Sequence, residues 1–141
     1  MSELLELAGR VEAANGWNRE LDALVAAVCR TGAEEWEWAA RYPAWVAEPN
    51  GRVSLERNGP SFAAPNYTAS LDAAMTLVPD GWVLILTVSH AGSYVRLADD
   101  RVDPVRLDDT EGASATAALA LCAAALRARA HLEDQSKAVG A

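Results

Sequence analysis

Apolar residues recur at three- and four-residue spacing in four segments, which predicts four helices. The first helix is expected to begin after Ser2 and to end at Asn15-Gly16. The second should begin after Asn18, whose side chain can cap it, and end near Gly32. The third is expected over about 69–78, where Pro79 ends it, and the fourth over about 114–132.

Strands are predicted between the helices, where polar and apolar residues alternate or apolar residues run on. The predicted strands are 35–38, 52–57, 82–88 and 93–97, and a further piece at 102–107 is confined to an edge or loop by Pro104. Since 82–88 is apolar nearly throughout, we expect a central strand covered on both faces. Its buried residues would be Val83, Leu84, Ile85 and Leu86.

The remaining signals predict connections and fold class. His90-Ala91-Gly92 is typical of a hairpin turn, and the glycine, serine and prolines of 58–65 indicate a loop. The resulting order of helices and strands predicts an α+β fold, an α/β sandwich whose mainly antiparallel sheet is packed with helices. We expect one domain over 1–132 and a flexible tail over 133–141.

Composition narrows the function classes. The 141 residues carry a net charge of −8, which disfavours binding to DNA or RNA backbones. A domain of this size can hold a core without metals or disulfides, so Cys29 and Cys122 are expected to be free thiols. No apolar run is long enough for a membrane span, and the acidic N-terminus lacks the features of a signal peptide. The sequence therefore predicts a cytoplasmic protein.

The aromatic residues are concentrated in one short stretch. Trp36, Trp38, Tyr42 and Trp45 lie close together in the sequence, with Arg41 among them. A strand would place Trp36 and Trp38 on the same face, where aromatics beside an arginine can stack on a nucleobase and hold a phosphate. The alternative is that these tryptophans fill core volume. Sequence alone leaves both open.

A second candidate site is the start of the third predicted helix. Tyr67, Thr68 and Ser70 stand where unpaired backbone N–H groups attract anions. The alternative is structural, with Thr68 or Ser70 as the N-cap and Asp72 complementing the helix dipole. We favour capping, because Asp72 already supplies the negative charge that a ligand would bring.

Catalytic patterns are weak. Ser89 and His90 could be combined with Asp99 or Asp100, but the chain lacks a nucleophile elbow of the Gly-x-Ser-x-Gly type. The two histidines and two cysteines have no metal-ligand spacing, and there is no glycine-rich phosphate loop. We therefore expect no cofactor, no bound metal and no enzymatic activity.

Three stretches carry a family resemblance. Residues 19–26, 67–79 and 118–129 resemble the phage alpha-beta-alpha sandwich domain proteins of phages and prophages. The resemblance implies a small α/β sandwich of phage origin, and it transfers no catalytic residue. The tryptophan-rich stretch 34–65 lies outside the similar segments, so a specific activity would be seated there.

Together these features predict a non-enzymatic phage or prophage accessory protein in the host cytoplasm. It would counter a host process such as immunity by sequestering a nucleotide-like small ligand. The alternative is an acidic inhibitor or adaptor that binds a host protein, for which the charge and the tryptophans are suited. A weak enzyme ranks third. No membrane partner is expected, and a homo-oligomer remains open.

Overall fold

The computed structural model describes residues 3–33, 37–56, 59–99 and 110–140. These residues form an α+β fold in which antiparallel sheets are packed with helices, as the sequence predicted. In chain order the elements are α1 (Glu3–Ala13), α2 (Arg19–Cys29), a 3-10 helix (Glu37–Arg41), β1 (Val46–Ala47), β2 (Arg52–Ser54), β3 (Ser61–Ala63), α3 (Leu71–Met75), β4 (Trp82–Ser89), β5 (Gly92–Asp99), β6 (Glu111–Ser114) and α4 (Ala117–Gly140).

The first two helices form where the apolar spacing predicts them. Asn18 caps α2, because its side-chain oxygen accepts a hydrogen bond from the Leu21 N–H at 3.1 Å. Arg30 ends α2 in the left-handed conformation, with φ at 56°. The predicted cap of α1, Ser2, lies outside the described residues.

The last two helices differ in length from the prediction. Ser70 is the N-cap of α3, since its hydroxyl accepts a hydrogen bond from the Ala73 N–H at 3.2 Å, but this helix ends at Met75 rather than near residue 78. Conversely, α4 begins at Ala117 and continues past the predicted end at 132 to Gly140. Fraying of the 133–141 tail stays a prediction.

The strands form two three-stranded sheets, ordered β1-β2-β3 and β4-β5-β6, with every neighbouring pair antiparallel. The predicted hairpin is confirmed, because Ser89 pairs with Gly92 across a two-residue turn. The loop prediction for 58–65 is wrong in part, since β3 lies within that segment and pairs with β2. The predicted edge piece at 102–107 lies outside the described residues.

The prediction of a strand over 35–38 is wrong at its described end. Glu37–Arg41 is a 3-10 helix, followed by a hydrogen bond from the Tyr42 N–H to the Ala39 carbonyl at 3.2 Å. The polar and apolar alternation of this segment is too short to separate an extended strand from a tight helical turn. Trp36 lies outside the described residues, so its position relative to Trp38 stays a prediction.

The core is centred on α4, which packs against the β4-β5-β6 sheet and α1. Small side chains let the helix approach the sheet closely. The approach is tightest at Gly112 of β6, where an added methyl group would lie 2.2 Å from the Ala120 carbonyl oxygen. Buried residues run through α4 from Ala118 to Leu126. None of the helices in the described ranges has the length and apolar character needed to cross a membrane.

The prediction that β4 is covered on both faces is wrong. Val83 and Ile85 are 47% and 53% exposed, and Leu84 and Leu86 are half-buried. Helix α4 covers one face of the sheet, while Val83 and Ile85 lie on the other face, towards solvent. An apolar run shows that a strand prefers to pack, but it does not show whether the chain supplies a second layer.

Candidate functional site

The 3-10 helix carries part of the predicted aromatic cluster on the surface. Trp38 is 41% exposed, and its ring meets Tyr42 edge-on with centroids 6.0 Å apart. Arg41 is exposed at the end of the same helix. The structure therefore brings Trp38 and Tyr42 together.

Trp45 lies in a different setting. It is half-buried, and its ring packs edge-on against Phe62 with centroids 5.5 Å apart. The arginine placed over its face is Arg30, whose guanidinium carbon is 5.2 Å from the ring centroid. The sequence analysis singled out Arg41, as a residue that could hold a ligand phosphate, and missed the contact of Arg30 with Trp45.

The left-handed cap explains how Arg30 reaches Trp45. A non-glycine residue with positive φ redirects the chain at the end of α2. From there the guanidinium donates hydrogen bonds to the carbonyls of Tyr42 and Pro43, at 2.7 and 2.6 Å. These bonds hold the 42–45 segment, and with it Trp45, against the end of α2. A positively charged residue at a helix end was the available signal.

Trp45 also forms one wall of a groove of about 320 Å³ between α1, α2 and β1. That volume is at the lower end of the range for sites that bind small organic molecules. The groove is lined by Glu3, Glu6, Leu7, Arg10, Leu24, Ala27, Val28, Trp45 and Ala47. Four of these are apolar residues on the facing sides of the two helices. The groove thus combines an apolar floor, one aromatic wall and charged residues from α1.

Two electrostatic features characterise this groove and its aromatic wall. The indole Nε1 of Trp45 is buried and has no hydrogen-bond partner among the described residues. A buried N–H donor without a partner costs free energy. Glu3, Glu6 and the adjacent Glu20 supply three carboxylates against two guanidinium groups, that of Arg10, which lies 3.8 Å from Glu20, and that of Arg30, which lies over the Trp45 ring. The local field therefore favours a neutral or positively charged group.

The predicted anion site at 67–70 has its polar side chains engaged within the protein. Tyr67 is buried, and its hydroxyl is 2.6 Å from the Thr31 hydroxyl. Thr68 is also buried and bonds to Asp22, while Ser70 caps α3. The structure thus supports the capping interpretation for Ser70 and a packing role for Thr68.

The other reactive groups are also placed. The Ser89 hydroxyl donates to the Gly92 carbonyl at 3.2 Å within the hairpin turn that contains exposed His90. Both cysteines are free, as predicted, and burial raises the pKa of the Cys29 thiol to about 11. Burial likewise holds the pKa of the Cys122 thiol far above its ordinary range. Among the described residues, no three His, Cys, Asp or Glu side chains cluster as metal ligands would.

Comparison with known proteins gives no relative from which a role could be transferred. No family model matches this chain. No curated protein matches it, and no solved structure does.

Proposed function

We propose that this chain is a non-enzymatic binding protein that holds a small amphipathic molecule in the groove between α1, α2 and Trp45. The observation that carries the proposal is a groove of about 320 Å³ with an apolar floor and the half-buried ring of Trp45 as one wall. Ligand sites of this size are mostly apolar, with few polar groups that fix orientation.

The chemistry of the lining selects the ligand class. A flat or aliphatic body fits the floor formed by Leu7, Leu24 and Val28 and can pack against the ring of Trp45. A neutral or cationic end suits the carboxylates of Glu3 and Glu6. Aromatic amines and uncharged nucleosides meet these requirements.

A nucleotide-like ligand is the narrower form of the proposal. Its base would occupy the apolar groove, but its phosphates would face the two carboxylates of Glu3 and Glu6, with one guanidinium, Arg10, to offset them. The lining therefore favours the nucleoside over the nucleotide. The exposed Trp38 and Arg41 remain a separate surface on which a base and a phosphate could be held.

Calorimetric titration with matched ligands tests the proposal. Adenosine and adenosine monophosphate differ in a phosphate, while tryptamine and indole-3-acetate differ in the sign of their charge. We expect tryptamine or adenosine to bind more tightly than its anionic counterpart, and raised salt to narrow the difference. If none of the four binds, or if the anions bind better at every salt concentration, the groove proposal fails.

Two variants locate the binding. Ala27→Leu adds volume inside the groove, whereas Ala13→Leu adds the same side chain at an exposed position of α1 outside it. Only Ala27→Leu should abolish binding. Trp45→Phe keeps a ring but shortens the aromatic wall of the groove, so it should weaken binding about tenfold. Equal binding by all three variants would place the ligand elsewhere.

A second candidate is an acidic adaptor that docks on a basic host protein. Trp17, between α1 and α2, is 69% exposed, and tryptophans at surfaces often anchor protein interfaces. The exposed carboxylate of Glu20 lies on the adjoining turn of α2, in a chain of net charge −8. Association of this kind should slow steeply with salt, and Trp17→Ala should weaken it while leaving groove binding unchanged.

A phage or prophage origin and action against a host process belong to this proposal and are supported by the sequence resemblance. A folded binding protein that sequesters a host metabolite would act without turnover. Expression of the protein in a bacterial host, with Ala27→Leu and Ala13→Leu compared for effects on phage growth, tests that role. Equal effects of the two variants would separate the biological role from the groove.

A further inference from the structure

The two outer edges of the β4-β5-β6 sheet differ in whether side chains occupy their backbone hydrogen-bonding groups. At β6, the carboxylate of Glu12 accepts a hydrogen bond from the Ala113 N–H at 2.9 Å, and Arg127 donates to the Glu111 carbonyl at 2.7 Å. Arg127 and Glu12 also pair with each other at 2.6 Å. An ion pair from α1 and α4 thus occupies the backbone groups of this edge, which prevents another strand from pairing there.

None of the described residues covers the opposite edge, at β4, in this way. In the part of the chain that the structure describes, β4 pairs only with β5. All eight of its residues, Trp82–Ser89, lack a charge, and the strand exposes Val83, Ile85 and Val88. Long, uncharged, apolar edge strands are ready templates for pairing with another strand.

Backbone N–H and C=O groups point to opposite sides of a strand at successive residues, which shows which groups of β4 face the open edge. Ala113 directs its N–H away from β5, so in an antiparallel ladder the paired residue Tyr94 directs its own backbone groups towards β4. The backbone groups of Tyr94 therefore form hydrogen bonds with those of Thr87. Two residues along each strand, the backbone groups of Ile85 bond with those of Arg96 in the same way. The backbone groups of Leu84 and Leu86 therefore point outward at the open edge.

We propose that β4 of one copy pairs antiparallel with β4 of a second copy, about a two-fold axis at Ile85. The pairing joins two three-stranded sheets into one of six strands. The backbone of Leu84 in each copy forms hydrogen bonds with the backbone of Leu86 in the other copy. The two Ile85 side chains then lie opposite each other on the outer face of the sheet. A symmetric pair of this kind is closed, because it uses the open edge of both copies.

The absence of charge on β4 favours a second copy of this chain over a charged peptide as the partner of this edge. The strand offers no ionisable group with which a charged peptide could pair, whereas β4 of a second copy presents the same uncharged, apolar alternation. Among the other described strands, β5 has the same length but lies inside the sheet, the remaining strands are shorter, and β6 is already covered. The net charge of −8 on each copy opposes association at long range, so salt should tighten the dimer by screening that repulsion.

Sedimentation equilibrium gives the first test. A single chain has a mass of 15.0 kDa, and we expect twice that mass at about 0.1 mM protein, with dissociation on dilution. Raised salt should lower the dissociation constant. A mass of 15.0 kDa at this concentration, with and without salt, would overturn the proposal, and so would a dimer that salt dissociates.

A matched pair of charge variants locates the interface. Ile85→Glu places a carboxylate beside Arg96 within one copy, which supports the folded monomer, but opposes two carboxylates across the two-fold axis. Val46→Glu adds the same charge at a similarly exposed valine of β1. Ile85→Glu should weaken the dimer by about tenfold or more, and Val46→Glu should not. Equal effects would move the interface away from β4.

Cysteine cross-linking tests the register. Opposed residues of a non-hydrogen-bonded antiparallel pair have Cα atoms about 4.5 Å apart, within the range that a disulfide bridges. Ile85→Cys should therefore give a covalent dimer under mild oxidation. Thr87→Cys lies on the same face but pairs with Val83 of the other copy, so its two sulfurs stay too far apart. Cross-linking by Thr87→Cys alone would contradict the proposed axis.

Discussion

The carboxylate of Asp22 accepts two hydrogen bonds from Thr68, one from its backbone N–H and one from its hydroxyl, each at 2.8 Å. Both residues are fully buried. The second oxygen of Asp22 pairs with Arg19 at 2.8 Å, and the Asn18 N–H donates to the Thr68 hydroxyl at 2.8 Å. The first turn of α2 is thereby fastened to the turn before α3.

Arg19 extends this network to the β2–β3 sheet. Its guanidinium donates to the side-chain oxygen of Asn66 at 2.7 Å and to the Ala64 carbonyl at 2.9 Å. The segments 19–26 and 67–79 therefore meet through paired polar groups, which gives Asp22 and Thr68 a role in folding.

The first prediction concerns this network. Asp22→Ala leaves the N–H and hydroxyl of Thr68 without their acceptor and removes the partner of Arg19. We expect the free energy of unfolding to fall by about 3 kcal/mol or more, measured by urea denaturation. Asp72→Ala, at an exposed position in the first turn of α3, should cost about 1 kcal/mol or less. Equal losses would show that the buried contact contributes little.

The second prediction concerns β4. Ile85→Ala removes a side chain that is half exposed, so its cost in dilute monomer should stay below about 1 kcal/mol. Leu97→Ala, on the neighbouring strand but fully buried, should cost about 2–5 kcal/mol. Denaturation at several protein concentrations separates this effect from dimer formation. A fall of several kcal/mol in the unfolding free energy of dilute Ile85→Ala would mean that β4 is covered on both faces in the monomer.

The third prediction concerns the contact between β6 and α4. Gly112→Ala forces a methyl group against the Ala120 carbonyl, so the strand or the helix must shift. We expect a loss of about 1–3 kcal/mol, the usual scale of overpacking. Gly9→Ala, in the interior of α1 where a methyl group meets open space, should instead stabilise by about 0.5–1 kcal/mol. Thermal unfolding of both variants measures the difference in sign.

The fourth prediction concerns pH. The hydrogen bond from Arg127 holds the pKa of Glu12 below its ordinary value, against the opposing effect of burial. Because the folded pKa is the lower one, the carboxylate stabilises the fold at neutral pH. That contribution is lost as pH falls below about 4. Glu12→Gln should lower stability at pH 7 and flatten the acid limb of a stability–pH profile. Glu20→Gln, a matched change at a more exposed side chain, should cost less stability at pH 7.

Sequence reasoning succeeded where the determining interactions are local. The cap at Asn18 and the turn after Ser89 depend on neighbours within a few residues. It failed where neighbours are distant in the chain. The exposure of Ile85 depends on how many layers cover the sheet, and the contact of Arg30 with Trp45 depends on the path of the 42–45 segment. The groove between α1 and α2 likewise arises from packing that no local pattern encodes.

The last prediction concerns the thiols. Burial raises the pKa of Cys29 to about 11, so its thiolate fraction at pH 8 is about 100-fold below that of an ordinary cysteine. Cys122 is fully buried in α4. In the native protein we expect both to resist iodoacetamide, and in urea both should react at the rate of a free thiol. Mass spectrometry of timed samples counts the labels. Rapid native labelling of Cys122 would mean that α4 opens readily, which conflicts with its position at the centre of the core.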